Sequence, residues 1–359
     1  MRAAPRLAAV SGSPSRTICS STRRLIRTAL LGCSISLFAC HAFATDLRSV
    51  LTEYTLASWS QKDGLPDGST FALAQDADGY MWVGTEAGPY RFDGVRFTSW
   101  SALTNAQGPV ASARALQGTA DGGMWIGFGA PGGVALFQRG QVRTWGPAEG
   151  LPVAAVTTIM QDGAGHVWAG TASGLYRLAG QRWERWGPER GVAAAPVNAA
   201  FLSAQRRFYV GAGRSLLALD ESGERFVEVA LLHEEPRAIG EDPYGAIVVS
   251  DQLDGFRRVD ADAPPLGHLE RGRGRAILRD RRNNLWVGTA GQGLWRVKFD
   301  DAGNVLFAER ATALTGLLAD GVVAVAEDRE GNIWGATPEG INRLTPHKVA
   351  QVTDIDPGY

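Results

Sequence analysis

One segment recurs along this chain and limits its fold more than any other feature. It reads "QDADGYMWVGTEAGPYRF" from Gln75, "QDGAGHVWAGTASGLYRL" from Gln161, "RDRRNNLWVGTAGQGLWRV" from Arg279 and "EDREGNIWGATPEGINRL" from Glu327. Each copy carries an acidic turn, a short apolar run around one Trp, then Gly or Thr, then a further Gly. Trp82, Trp125, Trp168, Trp286 and Trp334 mark the clear copies. The long gap between Trp168 and Trp286 holds two weaker ones, with Tyr209 and Val248 at the Trp position. Seven units then follow at a period of roughly 42 residues, which points to a propeller or a solenoid. A pattern built seven times is a structural unit and not a single active site.

Within a unit, "VTTIMQD" (Val156–Asp162) alternates as a strand does, and Asp-x-x-Gly makes a tight turn. "HVWAGT" reads as a second strand, "LYRL" as a third and "RWERW" as a fourth. Helical periodicity is hard to find anywhere, which disfavours stacked helix pairs. The predicted class is all-β: a seven-bladed β-propeller of four-stranded blades. Fourth strands end in a recurrent Trp (Trp100, Trp145, Trp186), and "YTLASW" places Trp59 in the same position with no blade before it. Tyr54–Trp59 is therefore expected to pair onto the seventh unit, whose third strand is read at Ile341–Leu344, and to close the ring. Closure removes exposed strand edges. The segment "HKVAQV" (His347–Val352) competes for the same edge. The predicted organisation is a leader over 1–44, a propeller over 45–344, and a tail or interrupted linker over 345–359.

The leader has Arg2, Arg6, Arg16, Arg23, Arg24 and Arg27, no acidic residue, the apolar run "ALLGCSISLFAC" and then Ala42-Phe43-Ala44. That is the plan of a secretory signal peptide cleaved after Ala44. Two weaker variants are a twin-arginine signal at Arg23-Arg24 and a lipobox ending at Cys40. Removal leaves 30 basic and 37 acidic residues, a net charge of −7, which argues against nucleic acid as a partner. Cys19, Cys33 and Cys40 all lie in the leader, so the mature chain is expected to lack thiols and Cys-based metal sites.

Asp-x-x-Gly-x-Ile/Leu-Trp-x-Gly-Thr-x-x-Gly-Leu, with the linkers Gly64-Leu65-Pro66 and Gly150-Leu151-Pro152, resembles the two-component-regulator propeller repeat over roughly residues 54–344. The resemblance implies the periplasmic sensor region of a hybrid histidine kinase or diguanylate cyclase. In that family two propellers usually precede an immunoglobulin-like domain, a membrane span and an output domain. Here there is one propeller's worth of repeats, with no second apolar span and no kinase or cyclase motif. The expectation is a truncated gene or a stand-alone sensor module that works with a membrane-bound signalling partner.

Several motifs have simpler explanations than chemistry. Gly127-x-Gly129-x-x-Gly132 is followed by no helical pattern and falls in a loop after a second strand. Asp76-Ala77-Asp78 is read as turn chemistry, not a calcium loop. His166, His233, His268 and His347 show no metal spacing, and no metal or cofactor is expected. The repeated Trp residues are read as packing between blades, not as sugar platforms. "RGRGR" (Arg271–Arg275) reads as a solvated charge run, or as guanidinium groups converging on an anion.

A ligand site is expected where second-to-third-strand loops and inter-blade linkers share one face. Its non-repeating polar residues include Lys62, Asp63, Glu86, Gln252 and Glu339, and the expected contacts are Arg214, Arg237, Asp251, Arg273, Arg275 and Gln292. The arginines favour an anionic small molecule or oligosaccharide. Three function classes follow. The preferred one is a periplasmic ligand-binding sensor module without its own output domain and without catalytic activity in this chain. The alternatives are an enzyme resembling streptogramin-type propeller lyases, which need a His base and a metal, and a protein-interaction scaffold.

Overall fold

The repeat begins with a turn that one carboxylate organises. In the computed structural model, Asp76 Oδ1 accepts the backbone N–H of Asp78 and Tyr80 at 3.1 and 2.9 Å. Its Oδ2 accepts the Trp82 indole N–H at 2.8 Å. The same bond joins Asp162 to Trp168 at 2.8 Å, Asp280 to Trp286 at 2.7 Å and Asp328 to Trp334 at 2.7 Å. The Asp therefore closes the hairpin between the first two strands and fixes the ring six residues on. Asp76–Asp78 is thus turn chemistry, as expected. The Val248 side chain has no N–H to offer, and there Asp242 Oδ2 accepts from Arg258 Nε at 2.6 Å, from the third strand, instead.

The structure describes residues 52–105, 109, 111–251, 255–260, 262–267 and 273–347. The expected leader and its expected cleavage site, Cys40, Gln252, His268, Arg271 and the tail beyond His347 lie outside them. Among the described residues no helix is long and apolar enough to cross a membrane.

Burial alone would raise the Asp162 carboxyl, but hydrogen bonds from Trp168 and His166 outweigh it and hold the group below its ordinary value near 3.8. Its contribution is full above that unfolded value and is lost as the pH falls through the lower folded one. Asp162→Ala leaves a buried indole N–H unpaired. It is expected to destabilise the ring by about 1–3 kcal/mol, read as a lower urea midpoint at neutral pH and a smaller difference from the parent in acid.

The strands assemble as seven antiparallel sheets. The first blade runs Thr70–Gln75, Met81–Thr85, Gly88–Phe92 and Phe97–Ser99, and the other units repeat this meander. First strands neighbour one another all round the ring and line its axis. All seven signature positions hold one register: Trp82 faces Ala74, Tyr209 faces Phe201, Val248 faces Gly240 and Trp334 faces Ala326. The two degenerate units are therefore true blades.

The seventh blade is Ala324–Glu327, Ile333–Thr337, Gly340–Pro346 and, outermost, Tyr54–Trp59. Tyr54 opposes Pro346 and Trp59 opposes Ile341, so the early strand closes the ring. Competition from the tail reaches only His347 among the described residues. Its backbone N–H donates to Glu53 O at 2.8 Å, extending this pairing and not displacing it.

Three expectations need correction. The fifth blade has three strands among the described residues, Ala238–Glu241, Ile247–Ser250 and Phe256–Arg258, and not four. Asp260 and Pro264–Pro265 follow its third strand, and proline offers no N–H to a ladder. Trp100 opens a short helical turn, Trp100–Leu103, capped by Ser99, instead of ending a strand. The last third strand runs two residues past 344, to Pro346.

The core lies between blades. Trp168 packs on Trp186 of its own blade and on Phe208 and Phe226 of the next, at centroid distances of 4.7, 5.6 and 5.5 Å. Trp334 stacks on Trp59 at 5.5 Å and meets Phe92 of the first blade at 6.2 Å. Every signature Trp is at most 5% exposed, which leaves no face for a sugar. Polar latches join neighbouring turns too. Arg329 N–H donates to Gln75 Oε1 at 2.8 Å, Arg281 N–H to Glu327 Oε2 at 3.0 Å and Ala204 N–H to Glu241 Oε2 at 2.8 Å.

Candidate functional site

The end of the ring opposite these Asp turns is built from the linkers. Gln61–Asp63, Pro147–Glu149, Pro188–Arg190 and Ala313–Thr315 each form one 3-10 turn ended by a left-handed Gly, for example Gly150 at φ 97°. A Cβ on Gly150 would lie 2.2 Å from Trp183 O, so only Gly fits. The next residue, Leu65, Leu151, Val192 or Leu317, is a buried wedge between blades. The Gly-Leu-Pro linkers are thus anchors. Backbone bonds from second-to-third-strand loops reach the residues that open each first strand: Glu86 to Ser69, Ala172 to Ala155, Gly213 to Pro196 and Ala290 to Arg273, at 2.8–3.1 Å. Both kinds of loop therefore share this end.

The expected site residues separate into three groups. Arg237, Arg273 and Gln292 are exposed and lie on this end. Arg214 lies there too, but its Nε donates to Leu232 O at 2.9 Å, which ties it to the following linker. Asp251 does not present its carboxylate: the side chain is 1% exposed, with Arg257 Nη2 3.9 Å away. Arg275 is not in a linker. It is the second residue of the strand Gly274–Arg279, at a break in pairing between Gly274 and Ala276. Gly274 allows this entry, since a Cβ there would overlap Ser250 Oγ.

That break recurs. The same irregularity falls at Phe71, Arg114, Thr157 and Asn198 in the first four blades. Each of these residues stands eleven positions before its signature aromatic, as Arg275 does before Trp286. Counting back equally from Val248 reaches Arg237, and from Trp334 reaches Val323. One position per blade thus rings the upper mouth of the axis, and three of the seven are arginines: Arg114, Arg237 and Arg275, all exposed. Arg114 was not singled out from the sequence, although the fixed offset from Trp125 could have found it. Its guanidinium lies 4.0 Å over the Phe71 ring of the preceding blade, which orients it. Asn198 Nδ2 donates to Glu235 Oε2 at 2.8 Å in the next linker. Among the described residues no group of three or more His, Cys, Asp or Glu side chains could hold a metal ion. The site offers charge and hydrogen bonds on a rigid ring.

A model of the two component regulator propeller matches residues 64–87, which span the first linker, turn and Trp strand. No curated protein matches the chain in sequence. Among solved structures the chain is similar to the extracellular domain of the hybrid two component system BT3049 from B. thetaiotaomicron. The two are 19% identical with a TM-score of 0.66, over 82% of this chain and 42% of that one. It is also similar to a streptogramin B lyase (12% identity, TM-score 0.68, 84% of this chain and 100% of that one). A virginiamycin B lyase from Staphylococcus aureus gives 13% identity and a TM-score of 0.66, over 82% and 100%. The chain spans less than half of the sensor domain and the full length of the lyases, and at these identities the likeness concerns the ring fold alone. The matched repeat, its recurrence around seven blades and the ring they form make the chain similar to the two component regulator propeller family.

Proposed function

We propose that this chain is an exported, ligand-binding sensor propeller that passes its signal to a membrane-bound partner and binds an anionic small molecule or oligosaccharide at the upper mouth of the ring. The observation that carries the ligand class is the equivalence of Arg114, Arg237 and Arg275, with exposed Arg273 beside them. A ring of cations on a chain of net charge −7 after the leader is a local reversal of sign, and it attracts carboxylate, sulfate or phosphate groups. Export is supported by the Arg-rich leader with its Ala-Phe-Ala end, and by the extracellular origin of the BT3049 domain.

Each charge-assisted contact contributes roughly 1.5–3 kcal/mol when shielded and far less at an open rim. The triple change of Arg114, Arg237 and Arg275 to Ala is therefore expected to weaken binding of an acidic ligand by about tenfold or more, measured by calorimetry. The melting temperature should hardly change, because all three side chains are exposed. Equal binding by parent and variant sinks the ligand reading. The same secreted protein should begin at Thr45 on N-terminal sequencing; an acylated Cys40 at the terminus would replace the periplasmic reading with a lipoprotein one.

A further inference from the structure

One concavity of the described ring lies away from the upper mouth. It is a groove of about 1410 Å³ along the rim between the third and fourth blades, reaching down to the turns at Asp162 and Asp220. Its volume exceeds the roughly 300–1,000 Å³ of a typical small-molecule pocket. Five arginines line it: Arg206, whose guanidinium donates to Gly163 O of a neighbouring turn, and four others, Arg177, Arg190, Arg207 and Arg225. Arg177 and Arg190 both stand 4.7 Å from the Trp186 ring, and Arg207 stands 5.5 Å from the Tyr209 ring. These contacts fix guanidinium planes without neutralising them. Among the described residues no carboxylate lies within ion-pair distance of any of the four.

The acidic residues of the groove are mostly committed elsewhere. Asp162 holds its turn and the Trp168 indole. Asp220 accepts from Ser222 Oγ at 2.8 Å and from two backbone N–H groups. Glu189 Oε1 accepts from Gly187 N–H at 3.2 Å. Only Glu221 and Glu224, both exposed on the hairpin above Asp220, oppose the four cations freely. Arg206 donates to Gly163 O of the neighbouring turn, which bridges the floor of the groove.

We propose that this groove is a second binding site, separate from the upper mouth, for an oligosaccharide that carries carboxylate or sulfate groups along its chain. Four unpaired guanidinium groups spread along an extended groove match charges spaced along a polymer, not one compact anion. The walls favour a saccharide over an acidic peptide. Gln205, Ser222 and His166 offer partners for hydroxyl groups, while Phe208 is buried and Leu219 half-buried, which leaves Val227 as the exposed large apolar side chain of the lining.

The test uses the secreted full chain in calorimetry with two probes, hexagalacturonate and a dextran sulfate oligomer, and polyglutamate of matching charge as comparison. Arg207 and Arg225 are both exposed, so the pair Arg207→Glu and Arg225→Glu should leave the melting temperature unchanged. At least one saccharide should bind the parent, and the double variant should bind it about tenfold or more weakly. The upper-mouth triple variant should retain this binding, which separates the two sites. Failure of both saccharides to bind the parent, or equal binding by the double variant, overturns the proposal. Polyglutamate binding as tightly as the better saccharide overturns its saccharide part.

Discussion

Arg296→Ala is expected to destabilise the ring by about 3–5 kcal/mol, which for a domain of this size is a fall in melting temperature on the order of 10 °C. Arg296 is 1% exposed in the third strand of the sixth blade and faces Glu309, also 1% exposed, on the fourth. The two form a buried ion pair. The same guanidinium reaches Glu53 Oε2 at 2.6 Å and lies 5.0 Å over the Tyr54 ring. One side chain thus joins the sixth blade to the start of the closing strand. Removing it strands the Glu309 carboxylate in the core, and that uncompensated charge, not the lost attraction, is the main penalty. The pair Arg296→Met with Glu309→Leu should therefore recover most of the loss, which calorimetric melting can read. If the single variant melts like the parent, the buried pair is not what secures this blade. Glu53 is half-exposed and should matter less. A hydrogen bond from Arg296 first, opposed by burial, holds its carboxyl below the ordinary value near 4.5. Its contribution is full above that value and fades as the pH falls through the lower folded one, so Glu53→Gln and the parent should converge in acid.

What the sequence made legible follows from what the fold repeats. In four of the five blades with a signature Trp, the Asp turn and the Trp serve each other through one hydrogen bond, so the two recur together, and their period exposes the number of blades. Closure was legible for the same reason: a fourth-strand Trp, Trp59, stands where no blade precedes it. The fifth blade was legible only as a weak copy at Val248 because its bond to Asp242 comes from Arg258, sixteen residues on in another strand, and local spacing cannot show that partner. Asp251 looked like a loop carboxylate because burial depends on how the loop folds back, which spacing does not record. The ring of Arg114, Arg237 and Arg275 was only half legible. Its position is fixed by the blade, but its residue type varies from Phe to Thr to Arg, so it has no motif until the register supplies the column. The groove between the third and fourth blades had no signal at all, since its arginines come from strands, linkers and turns with unrelated spacings.

Deleting residues 45–60 is expected to lower the stability of the entire ring, by a large part of the 5–15 kcal/mol or so that holds a typical domain. The deletion removes the outer strand of the seventh blade and exposes the Gly340–Pro346 edge along its whole length. It also uncovers Trp334, which loses the stacked Trp59 ring 5.5 Å away, and frees Arg296 from Glu53. Such losses are not confined to one blade. Trp334 also packs against Phe92 of the first blade, and Tyr54 packs edge-on against Trp286 of the sixth at 5.5 Å. Three consecutive blades thus share this strand, and opening it leaves the first and seventh joined only through inner contacts. The expected result in a urea titration is a single transition at a much lower midpoint, followed by intrinsic fluorescence. A synthetic peptide of residues 52–60 should restore part of the shift in proportion to its concentration, because it binds the folded ring and not the unfolded chain. A deletion that unfolds at the parent's midpoint, or a peptide without effect on a destabilised ring, would show that the strand decorates the seventh blade without closing the circle.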